Sequence, residues 1–317
     1  MGRVHDGQQT RPWLYSLKVF QRERRVLVIV GYLVVLGSVF GGYALMGGHF
    51  GVLFQPVELL IIGGAAVGAF ITANDGHTIL VTVKTLPKLI VDSKKHDKAL
   101  YMELLALLYV LLSKGRKDGM MALESDVDDP RNSDIFAPYT IILKDAQMLE
   151  FLTDYLRLIV GGHSDAFEIS ELMEHELQTY KHEAEVPAHS LNRVGDALPA
   201  LGIVAAVLGV VHALGSVDGP PAVLGGMIAA ALVGTFLGIL MAYGFVSPLA
   251  SLIEHKVAAS LKAYECIKVT LMASLNGCAP QLAVEFGRKV LFSNDRPSFV
   301  ELDKHVRDVK SGKSTEA

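Results

Sequence analysis

The sequence is poor in cysteine and tryptophan, and its positive charges leave two long stretches empty. Among 317 residues there are two cysteines and one tryptophan. Cys266 and Cys278 allow one disulfide on paper, but both follow the last apolar run and read as free thiols on the reducing side. No cysteine pair stands at zinc spacing, and no G-x-S-x-G elbow is present. Gly312-Lys313-Ser314 ends like a phosphate-binding loop but lacks the upstream glycine and the preceding strand, so it reads as tail. The net charge of −4 gives no reason to expect nucleic acid. Lysine and arginine are missing from residues 26–83 and 194–255, and the runs 197–215 and 223–246 also lack Asp and Glu. A chain that passes protons or cations across a bilayer normally needs an ionisable group inside it. The polar candidates in the last two runs are His212, Thr235, Tyr243 and Ser247, so if the chain conducts ions the charged relay must come from another subunit.

What is present is apolar. Hydrophobic residues make up 51% of the chain and the mean hydropathy is +0.37, which points to a polytopic membrane protein rather than a soluble domain. Four runs, 26–46, 57–73, 197–215 and 223–246, approach the ~20 apolar residues that cross a bilayer. Gly47-Gly48-His49 breaks the first, and Pro56 suits the first turn of the second, with Glu58 in the interfacial zone. Small residues recur at every fourth position in the last run (Gly226, Ala230, Gly234, Gly238, Ala242) and more briefly in the third (Ala205, Gly209, Ala213). That spacing lets helix backbones approach closely, where lipid offers no hydrophobic drive for association.

Basic residues flank the runs on one side only: Arg22, Arg24 and Arg25, Lys84 and Lys88, Arg193, Lys256 and Lys262. The positive-inside rule then puts both termini and the long middle segment in the cytoplasm. The expected class is all-α, with four transmembrane helices and a helical cytoplasmic domain. The expected organisation is a basic, disordered extension (1–25), two membrane helices (26–77), a cytoplasmic body (78–193), two more membrane helices (194–250), and cytoplasmic helices with a tail (251–317). The body holds 13 Lys or Arg against 19 Asp or Glu, a mixture typical of a solvated helical surface. Leu100, Leu104, Leu107, Leu108 and Leu111 mark one helix, Met148 to Ile159 a second, and an acidic third runs over 165–185. Glu171 and His175 are spaced i, i+4, but a charged solvated helix explains them better than a metal site does.

Several blocks carry a resemblance. They are Gly31-Tyr32-Leu33-Val34-Val35-Leu36-Gly37, Ala184-Glu185-Val186-Pro187, Val194-Gly195-Asp196-Ala197-Leu198-Pro199, Val233-Gly234-Thr235-Phe236-Leu237-Gly238, Tyr243-Gly244-Phe245-Val246-Ser247-Pro248 and Glu285-Phe286-Gly287-Arg288-Lys289. Together they resemble the MotA family of flagellar motor stator proteins, within the MotA/TolQ/ExbB proton channel group, from about residue 26 to 310. Residues 1–25 depart from the pattern. The resemblance implies a pentameric ring around a MotB dimer, in the bacterial inner membrane, with the proton-accepting aspartate supplied by MotB. It implies no cofactor and protons as the coupling ion. It places Thr235 opposite that aspartate, makes Pro199 and Pro248 coupling residues, and makes Arg116 and Glu124 the contact with the rotor protein FliG. By the residues alone, Thr235 would bond back to its own helix, Pro199 would be a first-turn residue, Pro248 a kink or helix end, and the charges ordinary surface. Three other readings remain: an ExbB- or TolQ-like energiser, whose chains usually have three membrane helices, a sodium-driven stator subunit, and a structural scaffold without ion flux.

Overall fold

Proline starts helices in this chain more often than it ends them. It lacks an N–H that the first turn leaves unpaired anyway, and its ring presets a helical φ. In the computed structural model, which describes residues 12–91, 98–163 and 165–310, proline is the first residue of α1 (Pro12–Leu45). After the short α2 (Phe50–Leu53) it also opens α3 (Pro56–Ala73). Then come α4 (Gly76–Val91), α5 (Lys98–Asp118), a 3₁₀ turn (Met120–Leu123), α6 (Glu124–Asp128), α7 (Thr140–Lys144), α8 (Ala146–Val160) and α9 (Ala166–Leu214). Proline opens α10 (Pro221–Ile239), which passes through a π turn (Leu240–Val246) into α11 (Ser247–Leu275). Proline opens α12 (Pro280–Val290), and α13 (Phe299–Lys310) closes the series. Gly119 and Gly277, at φ +90° and +84°, turn the chain after α5 and α11 in the left-handed region that residues with a Cβ avoid. No strand occurs among the described residues, so the all-α class holds. Four helical stretches are long and apolar enough to cross a membrane: Leu27–Leu45, Phe50–Ala73, and parts of Ala166–Leu214 and Pro221–Leu275.

Three boundaries differ from expectation. The backbone is helical from Pro12, where disorder was expected through residue 25; residues 1–11 and the tail with Gly312-Lys313-Ser314 lie outside the described residues. The acidic third helix and the third apolar run are one 49-residue helix, α9, that continues through Pro187 and Pro199. An internal proline loses one hydrogen bond and costs ~3 kcal/mol, which long helical flanks can absorb. Helix α4 also falls in the first of two compact units, residues 1–93 with 186–254, while residues 94–185 with 255–317 form the second.

The first unit is built on close backbone approach. A core of Ile62, Ala66, Leu198, Ala205 and Ala242 is edged by Leu201, Leu237 and Met241. Helix α1 leans on the π turn through Tyr32, whose hydroxyl donates to the Phe245 carbonyl at 3.2 Å. Ser190 Oγ meets Asn74 Oδ1 at 2.9 Å, and Asn192 donates to Glu254 at 2.9 Å. Leu27, Leu33, Val34, Val204, Val207 and Val211 point outward. This outward apolar face suits lipid or neighbouring copies, not water.

The second unit has an ordinary core. Leu100, Leu104, Leu107, Leu108 and Leu111, the stripe read from the sequence, are at most 1% exposed. Met148, Phe151, Leu152, Tyr155 and Leu156 of α8 are buried with them. Each such side chain contributes about 1.5–3 kcal/mol on burial. Asp145 caps α8 by accepting from the Met148 N–H at 3.3 Å. Lys98 pairs with Glu301 at 2.7 Å, and Ser298 donates its N–H to the same carboxylate. Lys98, followed by Ser298, holds Glu301 down to about 2. Burial pulls His305 below its ordinary value. A carboxyl depressed in the fold stabilises it above the unfolded pKa, and that stability is lost as pH falls toward about 2. A buried histidine that resists protonation adds a second loss below about pH 6.5. The unfolding midpoint should therefore drop in two stages on acidification, and Lys98→Met should flatten the lower one, as read by thermal melts of the purified chain across pH.

Candidate functional site

Helix α9 runs antiparallel to α10 and the start of α11, and glycines set the distance between them. A Cβ on Gly209 would lie 2.6 Å from the Ala231 Cβ. One on Gly202 would lie 2.9 Å from the Gly234 carbonyl oxygen and 3.3 Å from the Thr235 Cα, and one on Gly195 would lie 2.8 Å from Ser247 Oγ. From the other side, a Cβ on Gly238 would lie 2.6 Å from the Leu198 carbonyl oxygen and 2.9 Å from the Gly202 Cα. The expected stripe is therefore half right. Gly234, Gly238 and Ala242 pack in this seam, but Gly226 faces open space, and Gly195 and Gly202 extend the α9 side beyond the residues the spacing marked.

Three candidate residues lie on the helices that form this seam. Thr235 stands opposite Gly202, and Pro199 lies between Gly195 and Gly202 on the facing helix. Pro248 follows Ser247, the residue opposite Gly195. Pro199 is interior to α9, not in its first turn, and Pro248 follows the π turn in a helix that continues, so it marks no helix end. Pro248 cannot donate to the Gly244 carbonyl, and the preceding turn widens, with the Ser247 N–H donating to Ala242 O, five residues back. The Thr235 hydroxyl makes no hydrogen bond to another described residue, whereas Thr72 and Thr85 bond back to Gly68 and Val81 at 2.9 and 2.8 Å. The back-bonded reading of Thr235 fails here.

Sequence reading missed Glu58. Expected only as an interfacial residue, it is 8% exposed, on the first turn of α3, with its carboxyl against Gly209 and Gly234. The signal was the pairing of one acid with glycines on two distant helices, which spacing within a single run does not reveal.

Arg116 and Glu124 lie in the second unit, both exposed, on either side of the turn that joins α5 to α6. No ion pair joins them. Arg116 instead donates to the Cys278 carbonyl at 3.2 Å. Glu124 borders a shallow cavity of about 220 Å³ with Met121, Asp128 and Arg157. The turn is fixed from below. Lys114 and Ser133 both bind the Asp126 carboxylate at 2.6 Å. Burial alone would raise that carboxyl, but Lys114 and Ser133 bring it below the usual range. Arg157 of α8 joins Asp128, Asp154 and the Val127 carbonyl at 3.2, 2.7 and 3.0 Å. Charged tips on a braced turn suit reversible docking of a charged partner. Glu171 and His175 are exposed on α9, and Cys266 and Cys278 are free thiols.

The chain is similar to known proteins along most of its length. A family model described as motility protein A N-terminal matches residues 29–119, and the MotA/TolQ/ExbB proton channel family model matches residues 144–266. Motility protein A of Escherichia coli (strain K12) is 59% identical over 286 residues, covering 90% of this chain and 97% of that protein. A structure of C. jejuni MotAB matches with a TM-score of 0.69 at 22% identity, over 86% of this chain and 99% of that one. The flagellar MotAB stator complex from Bacillus subtilis matches with a TM-score of 0.65 at 26% identity, over 81% and 92%.

Proposed function

Because the chain belongs to the MotA/TolQ/ExbB proton channel family, we propose that its glycine-lined seam is one wall of a proton path that another protein completes. The chain is a stator subunit of the bacterial flagellar motor and a multi-pass membrane protein. The near-full-length identity to the Escherichia coli motility protein carries this reading. The partner is MotB, which supplies the channel aspartate. Copies of this chain form a pentamer around it in the inner membrane, with both termini in the cytoplasm. Support for the partner comes from the matched structures, which are MotAB complexes, and support for the orientation from the one-sided basic flanks.

Protonation of the partner's aspartate removes the cost of a buried charge, which can switch a bistable helix packing. Thr235 faces that aspartate with a hydroxyl not committed to its own helix. Pro199 and Pro248 sit at neighbouring levels of the seam, where lost backbone bonds soften α9 and the entry to α11. The exposed Arg116 and Glu124 push FliG through rim charges that bind and release quickly.

The test is production of the chain in a strain that lacks its own motility protein A but keeps MotB. Swimming should return, and swimming speed at fixed pH should not depend on sodium. A chain that inserts with MotB but gives neither swimming nor proton leak overturns the proposal. Thr235→Leu should insert and accumulate normally yet abolish swimming. Arg116→Glu should cut torque most of the way, and a compensating charge on FliG should restore it. Glu124→Lys should act in the same direction. Because rim pairs are screened, the loss in each case should shrink as ionic strength rises.

A further inference from the structure

Glu58 is a buried carboxylate with an unpaired oxygen. Its Oε2 is sealed from solvent without a hydrogen-bond partner, and the side chain is 8% exposed. The carboxyl fills space that two glycines leave. Oε2 lies 3.1 Å from where a Cβ on Gly234 would sit, and Oε1 lies 3.6 Å from the corresponding point on Gly209. These glycines belong to α10 and α9, so the acid of α3 is held between both partner helices.

Among the described residues, the surroundings offer no counter-charge. Helix α10 carries no titratable residue, and α3 carries none besides Glu58. Over residues 197–214, α9 has only His212, which is exposed. Tyr32 and Tyr43 of α1 donate their hydroxyls to the Phe245 and His49 carbonyls, and His49 precedes α2 outside the seam. An ionised carboxylate sealed here would be far costlier than a neutral carboxyl. A metal cation would need a shell of oxygens, and the walls beside the carboxyl are Gly209, Ala231, Gly234 and Ala205. A proton needs no shell.

We propose that Glu58 is a proton-binding site belonging to this chain itself, and that its protonated form holds α3 in the Gly209–Gly234 seam. Ionisation would require the seam to open far enough to admit water. The chain thus brings an acid of its own to the packing that a partner's aspartate is proposed to switch. Any consequence for torque rests on the function proposed above; the protonation itself does not.

The test uses the full chain with its MotB partner in phospholipid vesicles, treated with the apolar carbodiimide dicyclohexylcarbodiimide, which captures protonated carboxyls in apolar surroundings. Peptide mass spectrometry should find an adduct on Glu58 and little on the exposed Glu171. The adduct should be lost in Glu58→Gln. That variant imitates the protonated form, so it should melt at the native temperature, whereas Glu58→Lys should melt well below it. An unlabelled Glu58 beside labelled carboxyls elsewhere in the complex overturns the proposal. So does a Glu58→Gln chain that fails to fold, because the neutral isostere must fit. If Glu58 is labelled but native vesicles leak no protons, the functional reading fails and this site stands.

Discussion

Gly238→Val will destabilise the first unit and stop swimming, while Gly226→Val will leave the stability of the isolated chain unchanged. Both glycines belong to the same four-residue repeat, so composition does not tell them apart. The backbone opposite them does. A Cβ on Gly238 meets the Leu198 carbonyl oxygen at 2.6 Å and the Gly202 Cα and N at 2.9 and 3.2 Å, whereas nothing lies within 4 Å of the same position on Gly226. Backbone atoms cannot rotate away as a side-chain tip can, so α9 and α10 must separate. Overpacking of a tight core costs about 1–3 kcal/mol, and separation would also strip Thr235 from Gly202 and loosen the pocket that holds Glu58. Thermal melts of the two purified variants, with swimming in soft agar beside them, make the comparison. Equal melting temperatures would refute the seam.

Arg288→Leu will destabilise the second unit by about 3–5 kcal/mol, the usual cost of removing one partner from a buried ion pair. The guanidinium is 8% exposed and grips Glu285 with two nitrogens, Nε and one terminal nitrogen, each at 2.7 Å. Its other terminal nitrogen donates to the Pro297 carbonyl at 2.7 Å. The leucine would leave the Pro297 carbonyl unpaired and Glu285 with Lys289, 3.9 Å away, in place of the fork. Arg288 also lowers the Glu285 carboxyl below its usual range, so the native pair weakens as acid protonates Glu285. Lysine at 288 should recover only part of the loss, since one ammonium cannot make the fork. Denaturation of the full chain by urea, followed by circular dichroism, would show a lower midpoint for leucine than for lysine.

Much of this was legible in the sequence because the relevant forces are local. Apolar length fixes which runs can span a bilayer, and the 3.6-residue period placed Leu100 to Leu111 in a core before any coordinates did. The helix ends were less legible. Pro187 and Pro199 carry the usual stop signal, yet α9 runs through both, because a long helix tolerates a lost bond that a short one does not. The α10–α11 transition hid for a similar reason: proline signals a kink, and the local answer was a wider turn. Glu58 hid because burial is a property of three helices at once. Arg116 and Glu124 were named by resemblance alone, and the braces that position their turn, Asp126 and Arg157, carry no motif.

The wide turn at Leu240–Val246 changes the phase of everything after it. Each residue of a regular α-helix advances the side chains by about 100°. Accommodating one residue more per turn delays that advance by a single step, and Ser247, with Val246 beside it, stands opposite Gly195. One continuous rod thereby shows the seam one azimuth along α10 and another from α11 onward, a change of heading that an unbroken α-helix of the same sequence would not make.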